Sequence, residues 1–271
     1  MKIKDQLSIL NVRPSKERGQ NFLLDEGAIS EIVRFGNPKK EDNLIEIGPG
    51  LGALTKELVR FGNLTVIEVE EKFCQNLKVV HPNITVINED VRTVDFSELG
   101  DRLVVFGNLP YSLSTEIIFH ILSFDKNIKR AVFLLQREFV ERIAAEPGGR
   151  DYGALTLGCQ LYAQIRLGLV FGGDLFHPPT NVQSQLIEFQ MKPGDPGGMT
   201  DKERAMFPLV VRAAFFNRRK KIVNSMVLSR SFTENVIKEA LGASNISSDA
   251  RAETVSLPQY IELTRKIVAS E

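Results

Sequence analysis

Between Asn43 and Gln136, five β-rich runs alternate with helical patterns, and this alternation limits the fold more than any other feature of the chain. The runs are "NLIEIG", "LTVIEVE", "ITVINED", "LVVFGN" and "RAVFLLQ". The stretches between and after them, such as "LGALTKELVRFG", "EKFCQNLKVV", "STEIIFHILSF" and "REFVERIAAE", repeat their apolar residues with helical spacing. Strands made almost wholly of Val, Ile and Leu are buried on both faces, so the order predicts a doubly wound α/β fold on a mostly parallel sheet. A later pair, "IRLGLVF" and "SQLIEFQ", brackets "HPPT" and reads as an antiparallel addition at the sheet edge. The Pro/Gly-rich stretch "MKPGDPGGMT" (Met191–Thr200) is the expected domain boundary, and beyond it the pattern is helical throughout. The division expected is therefore 1–192, including a basic arm over 1–20, and an all-α domain over 193–271.

The 271 residues carry no net charge, yet the charges are unevenly spread. Lys2, Lys4, Arg13, Lys16 and Arg18 crowd the N-terminal arm, and "NRRKK" supplies Arg218, Arg219, Lys220 and Lys221. Acids gather between Glu41 and Asp95, so a basic face and an acidic pocket can coexist in a neutral chain. No apolar run approaches the roughly 18 residues of a membrane span, and the N-terminus lacks the apolar stretch of a secretory signal. Cys74 and Cys159 lie far apart and form no CxxC pair, which suggests reduced core thiols, a cytoplasmic setting and no metal site.

In an open parallel sheet, ligands bind at the carboxyl ends of the strands. The chemically suggestive residues fall there. "EIGPGLG" sets Gly48, Gly50 and Gly52 between the first of these strands and its helix, where glycine lets backbone turn tightly against a ligand. Glu68 ends the next strand, placed to accept hydrogen bonds from both hydroxyls of a ribose. Asp90 ends "ITVINED", where a carboxylate suits an adenine amino group. Together they indicate an adenosyl ligand without separating a nicotinamide enzyme from a methyltransferase.

The tetrapeptide "NLPY" after the fourth strand separates them. The lone pair of an amino group on an aromatic base is delocalised, so the nitrogen attacks poorly until acceptors hold its protons. Asn108 offers a side-chain oxygen, and the Leu109 carbonyl, aimed by Pro110, offers another. Tyr111 can stack on a base drawn out of its helix, a contact worth about 1–3 kcal/mol.

"GQNFL", "EIGPGLGALT", "VIEVE", "FGNLPYSLST", "LQREFVERI", "FHPPTNVQS" and "FFNRRKKIVNS" follow one another as in the ribosomal RNA adenine dimethyltransferases, and the chain resembles their bacterial small-subunit branch from about Arg18 onward. The resemblance implies a Rossmann-like class I methyltransferase domain that uses S-adenosylmethionine, followed by a helical domain that recognises rRNA. It implies cofactor contacts at Asn21, Leu23, Gly48, Gly50, Glu68, Asp90, Val91 and Asn108. It also sets Phe176 across the target base from Tyr111, and Arg218–Lys221 on the RNA. The implied reaction is dimethylation of two adjacent adenosines in a hairpin near the 3′ end of small-subunit rRNA. The implied partner is the immature 30S subunit, and a monomer is expected. The chain departs from the family pattern at Asn181 and Gln183, where Lys and Asp are common, and at Ser112, where Asn is common.

Arg137 and Arg142 could extend an RNA track or simply be solvated, and His120 and His177 read as structural. Rival readings are a macrolide-resistance methyltransferase of large-subunit rRNA, which shares the catalytic domain, and a DNA adenine methyltransferase, for which the helical tail is short. Another is an assembly checkpoint whose binding matters more than its methylation.

Overall fold

The computed structural model describes residues 7–12, 21–23, 25–192 and 194–270. The basic residues expected to form an N-terminal arm, Lys2, Lys4, Arg13, Lys16 and Arg18, lie outside this set. The chain divides into two compact units, one of residues 1–140 with 165–191, the other of residues 141–164 with 192–271.

The first unit is built on a seven-stranded sheet. In chain order its strands are β2 (Asn43–Ile47), β3 (Asn63–Ile67), β4 (Thr85–Ile87), β5 (Leu103–Asn108), β6 (Ile128–Gln136), β7 (Ala163–Phe171) and β9 (Ser184–Met191). Their spatial order is β4-β3-β2-β5-β6-β9-β7. Neighbours from β4 to β6 run parallel, whereas β9 lies antiparallel on β6 with Gln136 opposite Ser184. The order reverses between β2 and β5, so the connections leaving these two neighbours diverge and open a crevice at their carboxyl ends. Helix α1 (Glu26–Gly36) packs Ala28, Ile29 and Ile32 inward, its first turn closed by Asp25, whose carboxylate accepts from the Ala28 N–H at 2.7 Å. Helix α2 (Thr55–Leu58) is shorter than its apolar spacing suggests, because the glycine-rich loop takes up the residues before Thr55. Helices α3 (Glu71–Val80) and α4 (Ser114–Ser123) complete the connections. A separate two-stranded ribbon joins β1 (Phe22–Leu23) to β8 (Phe176–His177), with Leu23 opposite Phe176.

The second unit is helical. It contains α6 (Ala154–Tyr162), α7 (Asp201–Ala214), α8 (Ile222–Ser229), α9 (Glu234–Ala243) and α10 (Leu257–Ala269); α5 (Arg137–Ile143) leads into it from β6. Its core includes Leu157, Phe207, Met226, Ile237 and Tyr260. Two buried phenols are satisfied by backbone, Tyr152 donating to the Val255 carbonyl at 2.9 Å and Tyr260 to that of Ala252 at 2.8 Å. Capping boxes at Thr200/Glu203 and Ser256/Gln259 start α7 and α10. Residues 141–164, expected in the first domain, cluster here because α6 contributes Leu157 and Leu161 to the helical core. No described helix is long and apolar enough to cross a membrane.

Candidate active site

Strand register aligns the chemistry. Ile47 is level with Ile67 on one side and Gly107 on the other, and Ile67 with Ile87. The residues that follow, Gly48, Glu68, Asn88 and Asn108, therefore form one row at the carboxyl edge. Gly48, Glu68 and Asn108 line a cleft of about 200 Å³, together with Asn21, Leu23, Gly50 and the "LPY" of residues 109–111.

Gly48 and Gly50 adopt φ of +66° and +55°, values that side chains other than glycine's resist. A Cβ on Gly48 would project into open space, whereas one on Gly50 would meet the Phe22 ring at 3.0 Å. Gly48 thus leaves bare backbone facing the cleft, which a ligand can approach closely.

Glu68 is almost fully buried, and its carboxylate accepts from the Gly50 N–H at 3.1 Å and the Glu70 N–H at 2.9 Å. Burial nevertheless pushes its pKa up, against these backbone donors. Each oxygen still holds a lone pair for a ligand hydroxyl. The Asn88 side chain donates to the Glu68 carbonyl at 2.8 Å, tying the second strand end to the third. Val69, next in line, lines the cleft and is 56% exposed, an apolar surface open to a flat ring.

Glu46 also lines the cleft and is a residue that sequence reasoning did not single out. Burial pushes its pKa up to about 8; the Thr55 hydroxyl, donating at 2.6 Å, opposes the rise and the nearby Glu68 adds to it. The signal was available: an acid in the middle of the otherwise apolar "NLIEI".

At the end of β5, the Asn108 side-chain nitrogen donates to the Asn21 carbonyl at 2.9 Å. That carbonyl can only accept, so the amide orientation is set and Oδ1 faces away from it. Among the described residues neither Asn108 Oδ1 nor the Leu109 carbonyl receives a hydrogen bond. The Pro110 carbonyl is satisfied by the Leu113 N–H and the Ser114 hydroxyl, which closes the turn. Tyr111 lines the cleft, and its hydroxyl hydrogen-bonds Ser184 Oγ at 2.9 Å, so a fully buried residue of β9 anchors the ring.

Other expected site residues lie elsewhere. Asp90 caps the single turn Val91–Thr93 and pairs with Arg92, whose hydrogen bonds hold its pKa below the usual carboxylate range despite partial burial. Neither Asp90 nor Val91 lines the cleft, since β4 ends at Ile87 and the chain turns before reaching them. Phe176, expected across from Tyr111, is not among the residues that line the cleft. It is 2% exposed and belongs to the buried cluster that includes Leu23, its partner across the β1–β8 ribbon, and Ile29.

In the helical unit, Arg218 donates to the carbonyls of Arg150 and Tyr152, both at 2.9 Å, and Lys221 pairs with Asp249. Arg219 and Lys220 are exposed. Arg137 is engaged by Gln183, from side chain to side chain at 2.9 Å and from backbone N–H to carbonyl at 2.9 Å. Gln183, one of the departures from the family pattern, thereby holds the loop before β9.

The family model of the ribosomal RNA adenine dimethylases matches residues 12–263. The chain is 39% identical over 256 residues to the ribosomal RNA small subunit methyltransferase A of Nitrosomonas europaea, covering 94% of this chain and 96% of that one. It is 38% identical to the protein of the same name from Pseudoalteromonas translucida, over 95% and 96% of the two chains. Among solved structures, a dimethyladenosine transferase from Plasmodium falciparum superposes with a TM-score of 0.78 at 21% identity, covering 89% of this chain and 95% of that one. The 23S rRNA methyltransferase ErmE superposes with 0.68 at 23% identity, covering 92% and 100%. At that level of identity the two structures speak for the fold alone.

Proposed function

The chain belongs to the ribosomal RNA adenine dimethylase family, and we propose that the cleft at the carboxyl ends of β2, β3 and β5 is where it dimethylates adenine. It is an S-adenosylmethionine-dependent methyltransferase acting on small-subunit ribosomal RNA. When bound, S-adenosylmethionine supplies an electrophilic methyl group on a sulfonium and leaves as a neutral thioether.

The donor set of the cleft fits that molecule. Gly48 leaves room against its backbone, Glu68 can accept from the ribose hydroxyls, and Val69 offers an apolar face to the adenine ring. Outside the cleft lining, past the end of β4, Asp90, kept ionised by Arg92, would supply an acceptor for the adenine amino group, with Val91 beside it, where the ligand extends beyond Val69. Asn21 and Leu23 close the near side of the cleft.

On the target side, one observation carries the reading. Among the described residues Asn108 Oδ1 and the Leu109 carbonyl receive no hydrogen bond, and these two acceptors, one residue apart, line the cleft with Tyr111. They can take the two hydrogens of an adenine amino group and localise its lone pair for attack, while Tyr111 supports the base by stacking. The departing proton can pass to water, so positioning and alignment do most of the work and no strong base is required. In the present arrangement Phe176 acts through Leu23, whose place at the cleft it fixes by strand pairing.

The proposal extends to two adjacent adenosines of one hairpin as the target and to the immature 30S subunit as the particle recognised. It also includes a monomer as the working form and the cytoplasm as the compartment, which two buried free cysteines support. The test is nucleoside mass spectrometry of unmethylated small-subunit rRNA, presented in 30S particles and incubated with the protein and S-adenosylmethionine. Dimethyladenosine should form with wild type and about 10²–10³ times more slowly with Asn108→Ala; equal rates would remove Asn108 from the chemistry.

A further inference from the structure

Two adjacent phenylalanines in the turn between α7 and α8 have opposite placements. Phe215 turns inward: its ring stacks on Tyr260 with centroids 6.0 Å apart and meets Tyr152 at 6.5 Å. The Arg218 guanidinium lies 5.8 Å from the same ring. Phe216 is 63% exposed.

The turn that presents it is held by several hydrogen bonds. The Asn217 N–H donates to the hydroxyl of the buried Ser225 at 2.8 Å. The Arg219 N–H donates to Asn217 Oδ1 at 3.3 Å, and the Lys220 N–H to the Asn217 carbonyl at 3.0 Å. Three exposed cations lie close to Phe216 in sequence, Arg212 four residues before it in the last turn of α7 and Arg219 and Lys220 three and four residues after it. Among the described residues none of the three has an ion-pair partner.

A single exposed apolar residue is ordinary on a protein surface. This one differs in its setting: a preordered turn of a protein whose substrate is RNA, with uncommitted cations close by in sequence. Every nucleobase has a π face, so stacking on an aromatic ring captures unpaired bases of any identity, and cations beside it meet the phosphates. We propose that Phe216 is a stacking platform for an unpaired nucleobase of the RNA substrate, with Arg219 and Lys220 contacting the flanking phosphates. The inference rests on the reading of the chain as an rRNA methyltransferase and adds a contact that the reaction itself does not require.

The test measures binding of the full-length protein to a small-subunit rRNA transcript over a series of salt concentrations. Phe216→Ala should weaken Kd roughly 5- to 150-fold, the range expected for loss of one stacked base. The slope of log affinity against log salt should stay at the wild-type value, since no charge is removed. Phe216→Trp should restore binding and Phe216→Leu should not, because stacking needs a flat ring. Arg219→Ala should instead lower the slope by roughly 0.7–0.9. Wild-type affinity in Phe216→Ala, or full rescue by Phe216→Leu, would overturn the platform. So would loss of wild-type self-association in Phe216→Ala on light scattering, since the residue would then cover a second copy. The two readings fail differently: Phe216→Ala binding normally while wild type still methylates removes only the platform, whereas a wild type that neither binds nor methylates the RNA removes both.

Discussion

Asn108 and Asn21 are joined across 87 positions of sequence, the side-chain nitrogen of one donating to the main-chain oxygen of the other at 2.9 Å. The bond sets which way the Asn108 amide points. Asn108→Ala removes the acceptor, and Asn108→Asp removes the N–H that holds it and brings an acceptor against the Asn21 carbonyl. Both should lower the single-turnover rate of methyl transfer by about 10²–10³, the usual loss for one well-placed polar group at a reacting centre. RNA affinity should stay at the wild-type value, measured in the same samples.

Tyr111 is held by Ser184 through a single hydrogen bond between hydroxyls. Ser184→Ala and Tyr111→Phe each break it, at a cost of about 0.5–1.5 kcal/mol, or roughly two- to tenfold in methyl transfer. The double variant should be no slower than the slower single one, because both remove the same contact. Losses that multiply would mean that the two hydroxyls act separately.

Glu46 makes stability depend on pH with a definite sign. Its folded pKa, about 8, lies above the ordinary 4.5, so between these values the folded chain holds a proton that the unfolded chain has released. Stability from this group is therefore full below about pH 4.5 and is lost as pH rises through 8, with a slope of at most about 1.4 kcal/mol per pH unit. Glu46→Gln keeps the Thr55 hydrogen bond and cannot ionise. Urea denaturation across that range should show a flatter profile for the variant, and parallel profiles would refute the assignment.

Arg218 and Arg219 are neighbours with different tasks. Arg218→Ala removes the hydrogen bonds to the carbonyls of Arg150 and Tyr152, one exposed and one part-buried, and should cost about 0.5–1.5 kcal/mol of stability in denaturant melts. Among the described residues the Arg219 guanidinium donates no hydrogen bond, so Arg219→Ala should melt with wild type. Equal melts for both variants would show that the Arg218 contacts contribute nothing.

Some of this was legible in the chain because it is local. Val/Ile/Leu runs alternating with helical spacing dictate buried parallel strands, glycine at 48 and 50 answers a positive φ, and "NLPY" directly after an apolar run lands on a strand's carboxyl end. Each pattern is a short-range consequence of sterics or burial, and the sheet register then brings Gly48, Glu68 and Asn108 into one row.

Contacts between distant segments were decided only in three dimensions. Nothing in the sequence around Asn21 names Asn108 as its partner, and nothing around Ser184 names Tyr111. The resemblance sets Phe176 across the target base from Tyr111, yet only the fold shows that its ring is buried and that β8 pairs with β1. Residues 141–164 precede the Pro/Gly-rich boundary but join the helical unit, since apolar side chains go where they can be covered, whatever their order in the chain. Composition and spacing set which elements form and what chemistry they carry. Packing and hydrogen bonding between remote segments decide which way each group faces.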